Sequence, residues 1–234
     1  MQRTTPVQAV LWDVGGPINT EVQHEAHIDA DIREAFRLQG MRISNADYAR
    51  AWELAVGSYA PDAYRAVIWM LSDRNHNLAR QVHARMTAQA HGRNAFELRE
   101  GIAELLAKLD AQHIALGLVA NQPAATIRIL SDYGIDGYFT HNALSGTLGF
   151  RKPDVRLFLA ACDGLDVQPQ ACVMVGDRID NDIAPAKTLG MQTVLYRTGR
   201  HVHQQPRSWD EVPDAEVTTV AELTAALDRL IAAS

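Results

Sequence analysis

The feature that most restricts this chain is a series of short apolar runs, each stopped by a polar turn and separated from the next by residues of helical character. Residues 7–12 stop at Asp13-Val14-Gly15-Gly16-Pro17, residues 114–119 at Ala120-Asn121-Gln122-Pro123, and residues 171–175 at Gly176-Asp177. These runs are too short for stable helices and contain β-formers, so each reads as a buried strand. Helices are expected over 97–112, 124–133, 155–165 and 183–189, with Gly134 and Gly190 just beyond two of their ends. Further strands are expected over 138–140, 192–196 and about 216–220, before a last helix over 221–233. Strands joined by helices of this length predict a Rossmann-like parallel sheet with helices on both faces.

Residues 21–91 have a different character. Apolar residues recur there at helical spacing, as in Ile28, Ile32, Phe36 and Met41, or Leu78, Val82 and Met86. About four helices are expected, broken near Gly40, 57–61 and 74–77, with Ser44 as an N-cap three residues before Asp47. Trp52, Tyr59, Tyr64 and Trp69 are expected to fill the core of this block. The organisation predicted is an α/β core over 1–18 and 95–234, interrupted by an all-helical insert over 19–94. A chain of 234 residues, against a prior of roughly 150 per domain, has room for both.

Composition removes several function classes. Apolar residues make up 47% and charged residues 21%, enough for a full core and unlike a disordered chain. Lys and Arg number 22 against 28 Asp and Glu, a net charge of −6 with no basic cluster, so no nucleic-acid partner is expected. No apolar run approaches the roughly 18 residues of a membrane helix, and residues 1–6 lead almost directly into a strand, so neither a membrane anchor nor a secretory leader is expected. Cys162 and Cys172 stand among apolar neighbours and read as reduced core thiols of a cytoplasmic protein, monomer or dimer. The nine histidines show no metal-ligand spacing.

Ligands of open α/β sheets sit beyond the carboxyl ends of the strands. Asp13, Asn121 and Asp177 occupy three such ends, and Asp182 follows in the turn that opens the next helix. Arg151-Lys152-Pro153-Asp154 adds a cation just before another helix. Three carboxylates brought together repel unless a cation joins them, and hard oxygen donors point to Mg²⁺. Lys152 is suited to hold the charge of a carboxylate nucleophile together with a phosphate oxygen, a pattern that fits displacement through a covalent aspartyl intermediate.

In this order the motifs resemble those of the haloacid dehalogenase-like hydrolase superfamily, over nearly the whole chain. They are Leu11-Trp12-Asp13-Val14-Gly15-Gly16-Pro17-Ile18, then Leu118-Val119-Ala120-Asn121, then Gly149-Phe150-Arg151-Lys152-Pro153-Asp154, and last Val175-Gly176-Asp177 running through Asp182 to Gly190. The resemblance implies that the helical insert is a C1 cap, which closes over the site and selects the substrate. It implies Asp13 as nucleophile and Mg²⁺ ligand, Gly15 as a ligand through its carbonyl, and Asp177 and Asp182 as the remaining ligands. Lys152 would neutralise charge, while Asn121, Ala120 and the amides near Gly16 would contact the phosphoryl group. Glu21 and His24, just after the first motif, are candidate substrate contacts.

Three positions depart from the family pattern. Gly15 stands where its phosphatases usually carry a second Asp as general acid and base, Pro17 replaces the usual Thr, and Ala120 replaces a Ser or Thr. A missing general acid costs on the order of 10²–10⁴ in rate. The function expected is a Mg²⁺-dependent phosphatase of a small phosphorylated metabolite. The alternatives are a metal-independent 2-haloacid dehalogenase and a protein that binds a phosphorylated ligand without turning it over.

Overall fold

The computed structural model describes residues 5–90 and 95–233. Its main sheet has six parallel strands in the order β5-β4-β1-β6-β7-β8. They are β1 (Ala9–Trp12), β4 (Ala115–Ala120), β5 (His141–Leu144), β6 (Cys172–Gly176), β7 (Gln192–Tyr196) and β8 (Ala215–Val217). The central strands are buried along their length, as the continuous apolar runs required. Strand order reverses at β1, which lies between β4 and β6, and this switch point is where an open α/β sheet offers a crevice.

Alternate side chains of the strands feed two layers. Ala9, Leu11, Val119, Cys172 and Met174 pack with Leu157, Phe158 and Ala161 of α8 (Val155–Gly164) and Ala186 of α9 (Ala184–Thr188). Another layer contains α5 (Ile102–Ala111), against β4, and α10 (Val220–Ala232), against β7 and β8; the two helices also touch. Asp154 caps α8 by accepting from the Arg156 amide, and Thr219 caps α10 by accepting from the Glu222 amide. Cys162 and Cys172 are free and buried, with their sulfurs 3.8 Å apart.

Several expected elements take another form. The strand expected over 138–140 lies at His141–Leu144, and Asp136–Tyr138 is a 3-10 turn. This is an edge strand that pairs only with β4, so its polar residues His141 and Asn142 are tolerated there. The helix expected from residue 97 begins at Ile102, because Glu97–Leu98 (β3) pairs antiparallel with Asn19–Thr20 (β2). A short α7 (Ser145–Leu148) follows β5, and α6 (Thr126–Asp132) is shorter than the helix expected over 124–133. The last strand ends at Val217, releasing Thr219 to cap the final helix.

The chain divides into two compact units, Met1–Thr20 with Glu97–Ser234, and Glu21–Phe96. The second contains α1 (Val22–Arg37), α2 (Asn45–Gly57), α3 (Ala63–Leu71) and α4 (His76–Ala90). Ser44 accepts from the Asp47 amide at 3.1 Å and starts α2. Ile28, Ile32, Phe36, Trp52, Val67, Ile68, Val82 and Met86 form the core of this unit, each side chain contributing about 1.5–3 kcal/mol on burial. Trp52 meets Tyr64 edge-on with ring centres 5.1 Å apart. Trp69 is not a core residue as expected: it is 38% exposed. Residues 91–94, next to the expected 94/95 boundary, and the first four residues, where the leader question falls, lie outside the described residues. No described helix is long and apolar enough to cross a membrane.

Candidate active site

The strand register assembles the site. Trp12 pairs with Leu118 and with Val175, which sets Asp13 level with Gly176 and directly between the ends of β4 and β6. The Asp13 amide donates to the Val175 carbonyl at 2.9 Å, extending the ladder to the functional residue itself. Asp13 Oδ1 accepts from the Val14 amide at 2.8 Å.

Lys152 enters from the segment before α8. Its ammonium lies 2.9 Å from Asp13 Oδ1 and 2.6 Å from Asp182 Oδ1. The Lys152 and Asp182 side chains are 1% and 0% exposed, whereas Asp13 retains 14%, so Asp13 is the carboxylate of this trio that a ligand can reach. Burial draws the Lys152 pKa down, yet the charges of Asp13 and Asp182 outweigh it and hold the ammonium above the usual lysine range. For Asp182, burial pushes the carboxyl up, Lys152 pulls it back and the Asp13 charge adds to the push, leaving it at about 6.

Asp182 is positioned by a π-helical turn, Ile179–Ile183. The Arg178 amide donates to Asp182 Oδ2 at 3.0 Å, while the Asp182 amide donates back to the Arg178 carbonyl at 2.9 Å. Gly176 makes room for this carboxyl, since a Cβ at that position would overlap Asp182. One carboxylate oxygen from each of Asp13, Asp177 and Asp182 lies within 4.8 Å of the others. Three carboxylates converge on one lysine in a largely buried space. Such an all-oxygen donor set fits a divalent cation such as Mg²⁺.

Asn121 is committed to Lys152. Its Oδ1 accepts from the Lys152 amide at 2.8 Å and its Nδ2 donates to the Lys152 carbonyl at 3.1 Å. Ala120 is fully buried and brings no polar side chain to the site. Gly15 bridges to Asn19 and has no left-handed backbone. Gly16 does, with φ +83°, and a Cβ there would lie 2.9 Å from Asp177 Cβ and Cγ. Glu21 precedes α1 and His24 lies exposed in its first turn, both within the helical unit.

Other residues of the core unit escaped the reading of the sequence. Arg99 donates from Nε and Nη2 to the Gly16 carbonyl, at 2.9 and 2.7 Å, and from Nη2 to Thr198 Oγ1 at 3.1 Å. Its guanidinium stacks on Tyr196, 4.7 Å from the ring centre. Gln204 is 2% exposed; it accepts from the Ile179 amide at 2.7 Å and donates to Asp180 Oδ1 at 2.8 Å, steadying the turn that carries Asp182. The Gly-Asp pair at 176–177 was a usable signal for Gly176. Arg99 and Gln204 had none, being ordinary polar residues far along the chain from what they hold.

The family model for haloacid dehalogenase-like hydrolases matches residues 7–190, which include every carboxylate and the lysine of this site. The chain belongs to the haloacid dehalogenase-like hydrolase family. It is 37% identical over 110 residues to a glyceraldehyde 3-phosphate phosphatase of Methanopyrus kandleri, covering 47% of this chain and 46% of that protein. It is 30% identical over 132 residues to a phosphoserine phosphatase of Thermus thermophilus, covering 56% of this chain and 51% of that protein. The chain thus spans about half the length of these curated relatives. A crystal structure described as a predicted phosphoglycolate phosphatase, from Haemophilus somnus, superposes with a TM-score of 0.72 at 18% identity, over 96% of this chain and 100% of that one. At that identity the likeness is one of fold.

Proposed function

We propose that this haloacid dehalogenase-like hydrolase is a Mg²⁺-dependent phosphatase of a small phosphorylated metabolite, working through an aspartyl phosphate on Asp13. The observation that carries the reading is the Lys152 ammonium held between Asp13 and Asp182, with Asp177 in reach of the same cation. The phosphatase names of the relatives support it.

In this mechanism Asp13, the exposed carboxylate, attacks phosphorus in line with the leaving oxygen. Lys152 holds the Asp13 carboxylate and a phosphoryl oxygen against each other, and Asn121 fixes the main chain of Lys152 so that the ammonium stays aimed. Asp13, Asp177 and Asp182, with the Gly15 carbonyl, would hold the Mg²⁺. When bound, the ion supplies charge neutralisation for the phosphoryl oxygens. Water then attacks the aspartyl phosphate, releasing inorganic phosphate and restoring Asp13. Substrate selection falls to the helical unit, with Glu21 and His24 as candidate contacts. A metal-independent dehalogenase has no use for three carboxylates whose oxygens converge within 4.8 Å of one another.

The test is hydrolysis of p-nitrophenyl phosphate with Mg²⁺, with EDTA and with Asp13→Asn. Turnover that disappears under the last two conditions is expected. No turnover with Mg²⁺ would overturn the reading in favour of a dehalogenase or a non-catalytic binder.

A further inference from the structure

We propose that this site selects phosphoryl donors whose leaving group departs as a stable anion, acyl phosphates foremost, and discriminates against simple alkyl phosphate esters. The inference rests on the phosphatase reading of Asp13 and concerns the proton that an alkyl leaving group needs.

The loop that carries Asp13 and the loop after β4 contain no group to give that proton. Between Asp13 and Asn19 the only titratable side chain is Asp13, and residues 120–125 contain none. Around Lys152, the ammonium is directed at Asp13 and Asp182, while Asp154 is bound by Arg156. After β6, Asp177 and Asp182 belong to the carboxylate cluster, and Asp180 is held by Arg178 at 2.6 Å and by Gln204 at 2.8 Å. After β7, Thr198 accepts from Arg99. His201 is pressed toward neutrality by burial and the Arg178 charge, with a pKa of about 4, so it has no proton to give near pH 7.

Within the loop that carries Asp13, Gly15 lies two residues beyond the nucleophile, bridges to Asn19 and has no side chain that could hold a proton.

The chemistry then selects the substrate. As the bond from Asp13 Oδ to phosphorus forms, the bond from phosphorus to the leaving oxygen breaks and that oxygen keeps the electron pair. Unprotonated, it leaves as an anion. A carboxylate, whose acid has a pKa near about 4, is stable in that form, whereas an alkoxide is not. In the second step a water oxygen bonds to phosphorus, the Asp13 Oδ–phosphorus bond breaks, phosphate is released and the spare proton passes to solvent.

The experiment compares kcat/KM of the full chain with Mg²⁺ on acetyl phosphate, p-nitrophenyl phosphate, phenyl phosphate and ethyl phosphate. A fall of about 10²–10⁴ from the acyl to the alkyl member is expected, the range a missing general acid leaves. Rates that agree within about tenfold across the series, as when a protonating group flattens the dependence, would overturn the proposal and point to a donor such as Glu21 or His24. Gly15→Asp is expected to raise the ethyl phosphate rate and narrow the acyl-to-alkyl ratio at least tenfold, on the same general-acid scale; an unchanged ratio would overturn it. Should Gly15→Asp fail to fold, the series on the unaltered chain decides alone. If no substrate is turned over, acetyl phosphate included, the phosphatase reading itself falls.

Discussion

Gly176 and Asp182 share a volume that no larger residue at 176 would leave open: the Asp182 carboxyl lies where a Cβ at 176 would stand. Asp182 reaches that place because the π-helical turn folds it back onto the Arg178 amide. The same close approach aligns its Oδ1 with Lys152 at 2.6 Å.

Gly176→Ala is therefore expected to push Asp182 off Lys152 and out of the carboxylate cluster. Calorimetric titration with Mg²⁺ should give an affinity lower by about 10–100-fold, the usual cost of disturbing what orients a metal site. An unaltered affinity would mean that Asp182 settles elsewhere at no cost to the cation.

Lys152→Met leaves Asp13 and Asp182 without their shared cation in a buried setting. Urea unfolding in metal-free buffer should find the fold weakened by about 3–5 kcal/mol, with part of that recovered on adding Mg²⁺. Turnover should be lost whether or not Mg²⁺ is present. A stability equal to that of the unaltered chain would show that the ion pair has no net structural value.

Arg99→Lys keeps the charge but removes the fork that grips the Gly16 carbonyl. Lysine offers a point charge, not two parallel donors in one plane. Stability should fall by about 1.5–3 kcal/mol, the range for hydrogen bonds to charged groups, and kcat should drop because Gly16 packs directly against Asp177. A kcat indistinguishable from that of the unaltered chain would remove Arg99 from any part in shaping the site.

His201 makes stability depend on pH in a defined direction. Its pKa is depressed to about 4 from an ordinary 6.5, so between those values the unfolded chain binds more proton than the folded one. The stabilisation present above pH 6.5 is lost as pH falls toward 4, by up to about 3 kcal/mol for this one group. Comparing urea midpoints of the parent and His201→Gln across pH 7 to 4 isolates it. The parent should lose more stability over that window; parallel curves would contradict the assignment.

Local signals carried most of the architecture. Short apolar runs closed by Asp13, Asn121 and Gly176-Asp177 marked the strand ends, and helical spacing of Ile28, Ile32 and Phe36 marked the bundle. The four polar residues of the candidate site are visible because turn chemistry and charge mark them in a few adjacent positions. What stayed hidden depends on tertiary contacts. His141 and Asn142 look like loop residues and become an edge strand only because β4 offers a pairing edge. Glu97 and Leu98 form a two-stranded ribbon with Asn19 and Thr20, partners nearly eighty positions away. Arg99 is 83 positions from the carbonyl it grips, and nothing near either residue announces the other.

The adjacent glycines of the first motif are under unequal constraint. Gly16 is fixed by its left-handed backbone and its contact with Asp177, whereas Gly15 has a backbone compatible with other residues. The loop after β1 thus combines one position that the architecture dictates with another that it leaves open. Every glycine codon becomes one for aspartate or glutamate by a single base change, so on the phosphatase reading a carboxyl group could enter this loop, and with it a wider choice of leaving groups, in one mutational step.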